Sequence, residues 1–407
     1  MKKLKVRILE ALTEVPALAW DALVGAAGSP FLEWRFLQAL EEAGCVTPET
    51  GWQPLHLTVW EEPDAEGAER LVAAAPAYVK GHSQGEFVFD WEWASLAQRL
   101  GVRYYPKLLV GVPFTPAGGA RLLVHPELPE AQQRALRRLL CDTLRGVAED
   151  LGLSSVHVLF HPAPRLAGEP PESSADAEAL AEAGFLRRAG VQFHFHNRGY
   201  RDFDDYLSRF NAKRRHMLRR ERAEVGKAGI QVHTRRGAFT AADAEDMHQL
   251  YVSTVDKFYY GQRYLNPRFF QLMTERMADR LEFVVAQTAP SQPLLGGAIN
   301  FAKAGRLYGR YWGQGEPADR FLHFEVCYYH SLAECIARGL TVFEPGAGGE
   351  HKVARGFEPT LTYSAHLVFD RRLCGLLKPH LQREEAAIAA AVAEAQAESP
   401  LRAEKPG

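Results

Sequence analysis

The chain has 407 residues, of which 46% are hydrophobic and 24% are charged, and its formal net charge is −2. This length favours two domains, and this composition excludes the fibrous, collagen-like and wholly disordered classes of protein. Because the whole chain is nearly neutral, any binding to phosphate or nucleic acid must come from a local basic patch.

Nothing in the sequence predicts export or insertion into a membrane. The longest apolar run, AAIAAAVA at 386–393, is far shorter than the roughly 18 residues that a spanning helix needs. The N-terminal stretch MKKLKVRILEALTE has no uninterrupted apolar block and no small-residue cleavage site, so we predict no signal peptide. The five cysteines form no C-x-x-C pair, which argues against a disulfide scaffold or a zinc ribbon. We therefore expect a cytoplasmic protein with no integral membrane segment, and the abundance of Ala, Arg and Leu is typical of a GC-rich bacterial genome.

The first half of the chain alternates helical and strand-like segments. SPFLEWRFLQALEEAG (29–44) predicts a helix with Ser29 as its cap, and an amphipathic pattern predicts another helix over 128–151. Apolar runs predict strands at 55–60, 71–80, 107–114, 120–125 and 154–160. The Pro-, Gly- and Ser-rich stretch 161–178 predicts an exposed loop.

The second half begins with a basic segment and continues into a strand-rich region. We predict one long basic helix over 203–229 and a second helix over 240–256. Strands are predicted at 281–287, 294–301 and 306–313, the last two joined by the turn AKAG. The best-patterned helix covers 323–338, and an Ala/Glu-rich helix from about 382 fades into a disordered tail.

An internal repeat runs through both halves. A helix, a Gly-Leu pair, a strand, a helix, a Gly-Phe pair and a strand follow one another twice, at 152–153 and 184–185 and again at 339–340 and 356–357. This order predicts a tandem of two mixed α/β domains of one topology.

One run in the second half, LYGRYWGQGEPADRFLHFEVCYYHSLAECIARGLTVFEPGAGGEHKVARGFEPTLTYSAH (307–366), resembles the FemAB-like acyltransferases. This group of the GNAT superfamily is named for peptidoglycan biosynthesis or recognition, and the likeness extends over most of the chain. It implies an α/β fold with mixed sheets, built as a tandem of two GNAT-like domains of the acyl-CoA N-acyltransferase type. We place these domains at 1–200 and 201–380, with the reaction centre in the second and a helical to disordered tail at 381–407.

The resemblance leaves two acyl donors open. Acetyl-CoA-dependent GNAT enzymes carry a Q/R-x-x-G-x-G/A loop, and GAGGEHK lacks the basic residue at that offset. Fem-type enzymes lack this signature as well and use aminoacyl-tRNA. The expected acyl donor is therefore a cosubstrate, aminoacyl-tRNA or acyl-CoA, and no tightly bound cofactor is expected.

The stretch FEPGAGGEHKVARG (343–356) is the strongest candidate for a site. Its glycines permit positive φ angles and close backbone approach, and its acids, imidazole and cations could assist acyl transfer to an amine. A glycine-rich turn with surface ion pairs is the alternative. The predicted donor-binding residues are Gly346, Gly348, Gly349 and Arg355, and the predicted catalytic residues are Glu344, His351 and Lys352.

Further candidates lie outside that loop. Tyr311, on the strand RLYGRYWG, could be a general acid or part of an aromatic core, and Glu325 could project from a helix N-terminus into a cleft. His323, Cys327 and His330 have helical ligand spacing, but Cys327 lies on the apolar face, so we predict no metal site. The basic run could contact phosphate groups or an RNA backbone, or it could be a solvated surface, and the resemblance implies a phosphorylated acceptor nearby. Its residues are Lys213, Arg214, Arg215 and Arg219.

The resulting hypothesis is an acyl- or aminoacyltransferase that moves an activated acyl group onto an amine. The acceptor would be a phosphorylated cell-wall precursor of the peptidoglycan type, a peptide or a small molecule. The alternatives are a non-catalytic protein that binds a glycan, a peptide or RNA, and an acetyl-CoA-dependent N-acetyltransferase with a degenerate pyrophosphate loop. Serine hydrolase, P-loop and zinc peptidase motifs are absent from the sequence.

Overall fold

The computed structural model of the protein describes residues 3–62, 68–162, 175–258, 261–290, 292–315 and 320–401. Contacts divide the chain into two compact units, here called unit 1 (Met1–Val191 and Leu361–Ala390) and unit 2 (Gln192–Thr360 and Ala391–Gly407). The predicted bounds 1–200, 201–380 and 381–407 stay a prediction about domains.

Unit 1 is formed by most of the first half of the chain and by a later segment, 361–390. Its helices are α1 (Ala17–Val24), α2 (Trp34–Glu42), α3 (Trp91–Arg99), α4 (Glu130–Asp150) and α5 (Ala175–Glu182). Its first strands are β1 (Leu4–Leu9), β2 (Trp52–Pro54), β3 (His56–Glu61), β4 (Arg70–Ala75), β5 (Ala77–Lys80), β6 (Lys107–Val110), β7 (Leu123–Val124) and β8 (Ser155–His161).

The remaining elements of the chain belong mainly to unit 2. The strands are β9 (Leu186–His196), β10 (Gln231–Arg236), β11 (Leu281–Gln287), β12 (Gly296–Lys303), β13 (Arg306–Gln314), β14 (Val342–Glu344) and β15 (Glu358–Val368). The helices are α6 (Phe203–Ser208), α7 (Ala212–Lys227), α8 (Ala241–Val255), α9 (Pro267–Arg276), α10 (Leu322–Phe324), α11 (His330–Ala337) and α12 (Arg371–Ala397). The unit boundaries fall inside β9, β15 and α12.

Unit 1 holds two sheets. One has the strand order β1-β3-β4-β7, and the other contains β15, β8, β6, β5 and β2 in that order. In the second sheet β6 and β8 are parallel, while β15 pairs with β8 and β5 pairs with β6 antiparallel. Its main hydrophobic core forms where α4 covers the strands, with Leu140 and Leu144 buried beside Leu108 and Val156. Burial of this apolar surface supplies the main stabilising free energy of the unit.

Unit 2 is built on the strand order β10-β11-β12-β13-β14-β9. The strands from β10 to β13 form an antiparallel series, and β14 then joins β13 in parallel. The predicted AKAG turn joins β12 to β13. Lys303 pairs with Arg306, and the two residues between them, Ala304 and Gly305, have φ angles of 52° and 74°. Positive φ at both central residues matches the right-handed twist of the two strands.

The glycines of the internal repeat all end helices or helical turns in one way. Gly152, Gly184, Gly339 and Gly356 have φ angles of 61°, 84°, 64° and 83°. At each of them the glycine amide bonds to the carbonyl three residues back, and the next amide bonds to the carbonyl five residues before it. This is the Schellman arrangement, which requires a left-handed residue and so favours glycine. A strand follows each of the four positions, as the repeated order predicts.

Two predicted helices have a different form in the structure. The basic segment 203–229 is divided into α6 and α7, because Asn211 has an extended backbone and its side chain accepts a hydrogen bond from the Arg214 amide. The segment 323–338 contains α10 and α11 joined by a π-helical stretch, Glu325–Tyr329. Sequence patterns also failed to indicate α3 and α9 as helices.

The stretch predicted as an exposed loop, 161–178, falls largely on residues 163–174, which lie outside the described part of the chain. Among the helices that are described, none combines the length and the apolar character needed to cross a membrane.

Candidate functional site

The predicted glycine loop lies in unit 2 between β14 and a short 3₁₀ helix, Glu350–Arg355. Gly346, Gly348 and Gly349 have φ angles of 86°, 70° and 90°, in the left-handed region that side chains disfavour. The Lys352 ammonium group donates a 2.7 Å hydrogen bond to the Gly346 carbonyl, which closes the loop on itself. The loop is therefore a defined turn whose shape depends on its glycines.

His351 points towards the π-helical stretch of the same unit. Its Nε2 atom lies 2.9 Å from the hydroxyl of Tyr328. Burial lowers the pKa of His351, and the charges of Arg355 and Lys352 lower it further. Burial raises the pKa of Tyr328. At neutral pH the imidazole is therefore uncharged and the phenol protonated, so this pair has a nitrogen that can take up a proton.

Two more titratable groups surround this pair. Burial lowers the pKa of Lys352 to about 8, while Cys327 opposes that change. Burial, with the neighbouring His351 imidazole as the next cause, lowers the pKa of His323 to about 4. The His323 ring lies 4.2 Å from the Trp312 ring and 5.9 Å from the His351 ring, measured between centroids. Perturbed groups gathered in this way are typical of functional sites.

Arg355 is deeply buried behind the loop. Its guanidinium group donates to the Glu221 carboxylate at 2.8 Å and to the His351 carbonyl at 3.0 Å, and it lies 3.4 Å from the centre of the Phe324 ring. The Tyr329 hydroxyl donates to the same Glu221 carboxylate. Arg355 thus ties the loop to α7 through a buried ion pair.

The end of the short 3₁₀ helix is held just as closely. The Tyr206 hydroxyl donates a 2.6 Å hydrogen bond to the Arg355 carbonyl. At the next residue, Gly356, an added Cβ atom would lie only 2.2 Å from the Tyr206 hydroxyl oxygen, so only glycine fits there.

Glu325 and Glu344 have separate partners. Glu325 accepts two hydrogen bonds from Nε of Arg222 at 3.1 and 3.2 Å and one from Nη2 at 2.9 Å. Glu344 is paired with Arg306 at 2.6 Å, and within the described residues its Oε2 atom is buried without a hydrogen-bond partner. The charge of Glu344 also acts on His194, whose pKa burial lowers to about 4. The structure therefore brings His351, Lys352 and Arg355 together, while each of these two acids belongs to its own ion pair.

Tyr311 lies in an aromatic group of unit 2. Its ring contacts Tyr251 edge-on at 5.5 Å between centroids and lies 6.2 Å from Phe270. This position matches the aromatic-core alternative, and a role as a general acid stays a prediction.

The basic residues lie on α7 and differ in exposure. Lys213 and Arg219 are exposed, whereas Arg214 and Arg215 are half-buried. Arg219 pairs with Asp204 at 2.7 Å. The buried side chains of the helix are those of Leu218, Glu221 and Val225.

Sequence reasoning missed Glu221 as a site residue. It lies three residues after Leu218 and four before Val225, so it falls on the apolar stripe of the helix. An acid at such a position must find a buried partner, and that signal was available in the sequence. Tyr328 and Arg222 gave no comparable local signal, and His323 was considered only as a metal ligand.

The two units, each with mixed sheet strands and glycine-capped helices, define a protein of two GNAT-like α/β domains. Over 91% of this chain and 100% of the other, the fold is similar to the crystal structure of FemX, with a TM-score of 0.52 and 11% sequence identity. Residues 11–403 match the model of the FemAB-like family, described as peptidoglycan biosynthesis/recognition, and the chain belongs to this family. The predicted family and fold class are therefore confirmed.

Two further solved structures are more distantly similar. L-PGS from Bacillus licheniformis has a TM-score of 0.47 and 10% identity, with 89% of this chain and 98% of that chain covered. A tandem GNAT protein from the clavulanic acid biosynthesis pathway has a TM-score of 0.43 and 13% identity, with 90% and 98% covered. No curated protein matches the sequence of this chain.

Proposed function

We propose that the protein is an acyltransferase that moves an aminoacyl or acyl group from an activated carrier onto a primary amine, with the glycine loop of unit 2 as its reaction centre. The observation that carries this proposal is the uncharged His351 hydrogen-bonded to Tyr328 beside that loop. Membership of the FemAB-like family supports transferase chemistry.

The reaction needs one base and one route for the leaving group. The amine nitrogen attacks the carbonyl carbon of an ester or thioester, an N–C bond forms, and the C–O or C–S bond breaks. His351 takes the proton that the attacking nitrogen loses, and that proton passes to the departing alcohol or thiol. Lys352 and Arg355 fix the loop that places His351, so we assign them positioning roles.

The acyl donor is proposed to be a cosubstrate, either aminoacyl-tRNA or acyl-CoA. Aminoacyl-tRNA and acyl-CoA both present an activated carbonyl group, and neither needs a tightly bound cofactor. A transfer assay separates them: the protein is incubated with radiolabelled aminoacyl-tRNA or acyl-CoA and an amine-bearing muropeptide precursor. Transfer from one donor alone identifies the carrier. Binding of the precursor without transfer from either donor would favour the non-catalytic alternative.

The acceptor is proposed to carry phosphate, which the exposed face of α7 would contact. Replacing Lys213, Arg214 and Arg219 together by Glu should weaken binding of a phosphorylated precursor and flatten the dependence of its affinity on salt. The protein should stay folded, because the buried residues of α7 are unchanged. The matched control reverses three cations of unit 1, of which Arg134 and Arg372 are exposed and Arg138 is half-buried, as Arg214 is. Equal affinities of the two triple variants would mean that the α7 cations form only a solvated surface.

The loop glycines offer a test of shape that leaves every charge in place. Gly348 has a φ of 70° and an added Cβ would meet nothing within 4 Å, so Gly348→Val acts through backbone strain alone. Strain of about 1–2 kcal/mol should lower stability and displace His351, with a loss of transfer rate of about 10- to 100-fold. Gly25, in unit 1, has a φ of 69° and the same open surroundings. Gly25→Val should also lower stability but leave the rate unchanged, and a similar loss of rate in both variants would contradict the placement of the centre.

A further inference from the structure

A second cluster of ionisable groups is buried in unit 1, and none of its residues has a part in the function proposed above. Lys80 and Lys107 are direct partners in the antiparallel β5–β6 pair. On the neighbouring strands, His157 of β8 is the register partner of His366 of β15, and their ring centroids lie 4.6 Å apart. All four side chains are at most 1% exposed. Interior strand faces are normally apolar, since each buried cation or imidazole loses hydration free energy.

The counter-charges come from the segment 81–90, which leads from β5 to α3. The Lys107 ammonium group donates to Ser83 Oγ at 2.8 Å, Glu86 Oε2 at 2.9 Å and Asp90 Oδ2 at 2.6 Å. These bonds use all three of its hydrogens. We call Lys80, Lys107, Glu86 and Asp90 the buried lysine site.

The carboxylates of this site have acceptor capacity left over. Within the described residues, Glu86 Oε1 and Asp90 Oδ1 are buried without a hydrogen-bond partner, and so is Nδ1 of His366. The two acids are 3% and 1% exposed. An unsatisfied buried acceptor costs about 1–3 kcal/mol, and both of these belong to carboxylates. The unfilled positions therefore call for a donor that is also a cation.

Above neutral pH, the net charge of the buried lysine site also favours a cationic ligand. Burial lowers the pKa of Lys80 to about 7 and raises the pKa of Glu86 to about 7. Above pH 7, Lys80 is then largely neutral, and the single charge of Lys107 faces two carboxylates, which leaves one negative charge. Below pH 7, Lys80 is charged and Glu86 protonated, which reverses the sign.

The surrounding groups do not alter this balance. Burial lowers the pKa values of His157, His366 and His82, so these imidazoles are neutral. Burial raises the pKa values of Tyr104 and Tyr105, so both phenols keep their protons. The guanidinium group of Arg188 is neutralised by its ion pair with Glu384 at 2.9 Å.

Residues 81–90 form an irregular segment beside the site. It forms neither helix nor strand, and Phe87 holds a φ of 59°, which is unfavourable for an aromatic residue. Phe89 and Trp91 are 68% and 49% exposed although both are large and apolar. The segment is held to the interior by the bonds from Lys107 to Ser83, Glu86 and Asp90, so a ligand enters when these hydrogen bonds break in a local opening.

We propose that the buried lysine site binds a ligand with a primary ammonium group, whose N–H bonds take the unpartnered oxygens of Glu86 and Asp90. The Trp93 ring, which contacts the His366 ring at 4.8 Å between centroids, belongs to the aromatic surroundings of that site. This inference concerns unit 1 alone and does not depend on the function proposed for unit 2.

Calorimetric titration at pH 8 tests the proposal with n-butylamine as the probe and with butanol and butyrate as neutral and anionic analogues. The amine should bind, the two analogues should not, and the affinity for the amine should fall at pH 6. Glu86→Gln and Asp90→Asn should each weaken binding about 10- to 100-fold, since each removes a charged acceptor. Glu130→Gln, at an exposed carboxylate of α4, is the control and should bind like the wild type.

Hydrogen exchange on the wild-type protein decides the matter without variants. Binding of n-butylamine should slow exchange in peptides covering 81–91 and 103–110. The proposal is overturned if the wild type binds no amine, if protection appears only elsewhere, or if the folded Glu86→Gln and Asp90→Asn proteins bind as tightly as the wild type.

Discussion

His351→Ala is expected to lower the rate of acyl transfer by about 10²- to 10⁴-fold, the range found when a general base is removed. Its imidazole is uncharged at neutral pH because burial and the neighbouring cations lower its pKa. The wild-type rate should therefore fall only at acid pH, as the imidazole becomes protonated below its lowered pKa. Steady-state rates of the variant and the wild type between pH 5 and 8 measure both effects.

Two companion variants sharpen this test. His233 is an exposed histidine of unit 2, so His233→Ala should keep the full rate. Glu344→Gln, at the second predicted proton-transfer residue, should also lower the rate if that acid acts in the reaction. If His351→Ala and Glu344→Gln both keep full turnover in folded protein, the loop is only a turn. The chemistry would then lie near Tyr311 or Glu325.

The parts of the fold that could be predicted from the sequence are those determined by a few consecutive residues. The AKAG turn and the four glycine caps each depend on a few consecutive positions, and the structure contains all of them. The division of the basic helix falls at Asn211, the N-cap of α7. Its capping bond to the Arg214 amide is local too, but the surrounding charges concealed it.

The candidate site of unit 2 could be predicted only in part, because its residues come from distant parts of the sequence. His351, Lys352 and Arg355 lie on one short stretch, whereas the partner of Arg355 is 134 residues away in sequence. In unit 1, SSVHVLF was correctly predicted as a buried strand, but its pattern did not reveal that His157 faces other ionisable groups. The partners of Lys107 come from a loop 17 to 24 residues earlier, which no periodicity connects to a strand. Long-range polar pairing leaves little trace in local patterns.

The buried pair between Arg355 and Glu221 should be the most sensitive point for the stability of unit 2. Their side chains are 5% and 6% exposed, so Glu221→Gln leaves a guanidinium charge without its counter-ion in the interior. Removing one partner of such a pair costs about 3–5 kcal/mol. We expect the free energy of opening to fall by that amount in α7 and α11, measured by hydrogen exchange, with α4 of unit 1 as an internal reference.

A surface pair between α6 and α7 supplies the matched control. Arg219 and Asp204 lie 2.7 Å apart, against 2.8 Å for the buried pair, but their side chains are 55% and 76% exposed. Asp204→Asn should therefore change the free energy of opening by less than about 1 kcal/mol, because solvent screens the interaction. The double variant Glu221→Leu with Arg355→Met should recover most of the lost stability, since it leaves no buried charge. Equal effects of Glu221→Gln and Asp204→Asn would mean that burial adds nothing to the pair. The loop would then owe its position to the Lys352 and Tyr206 hydrogen bonds.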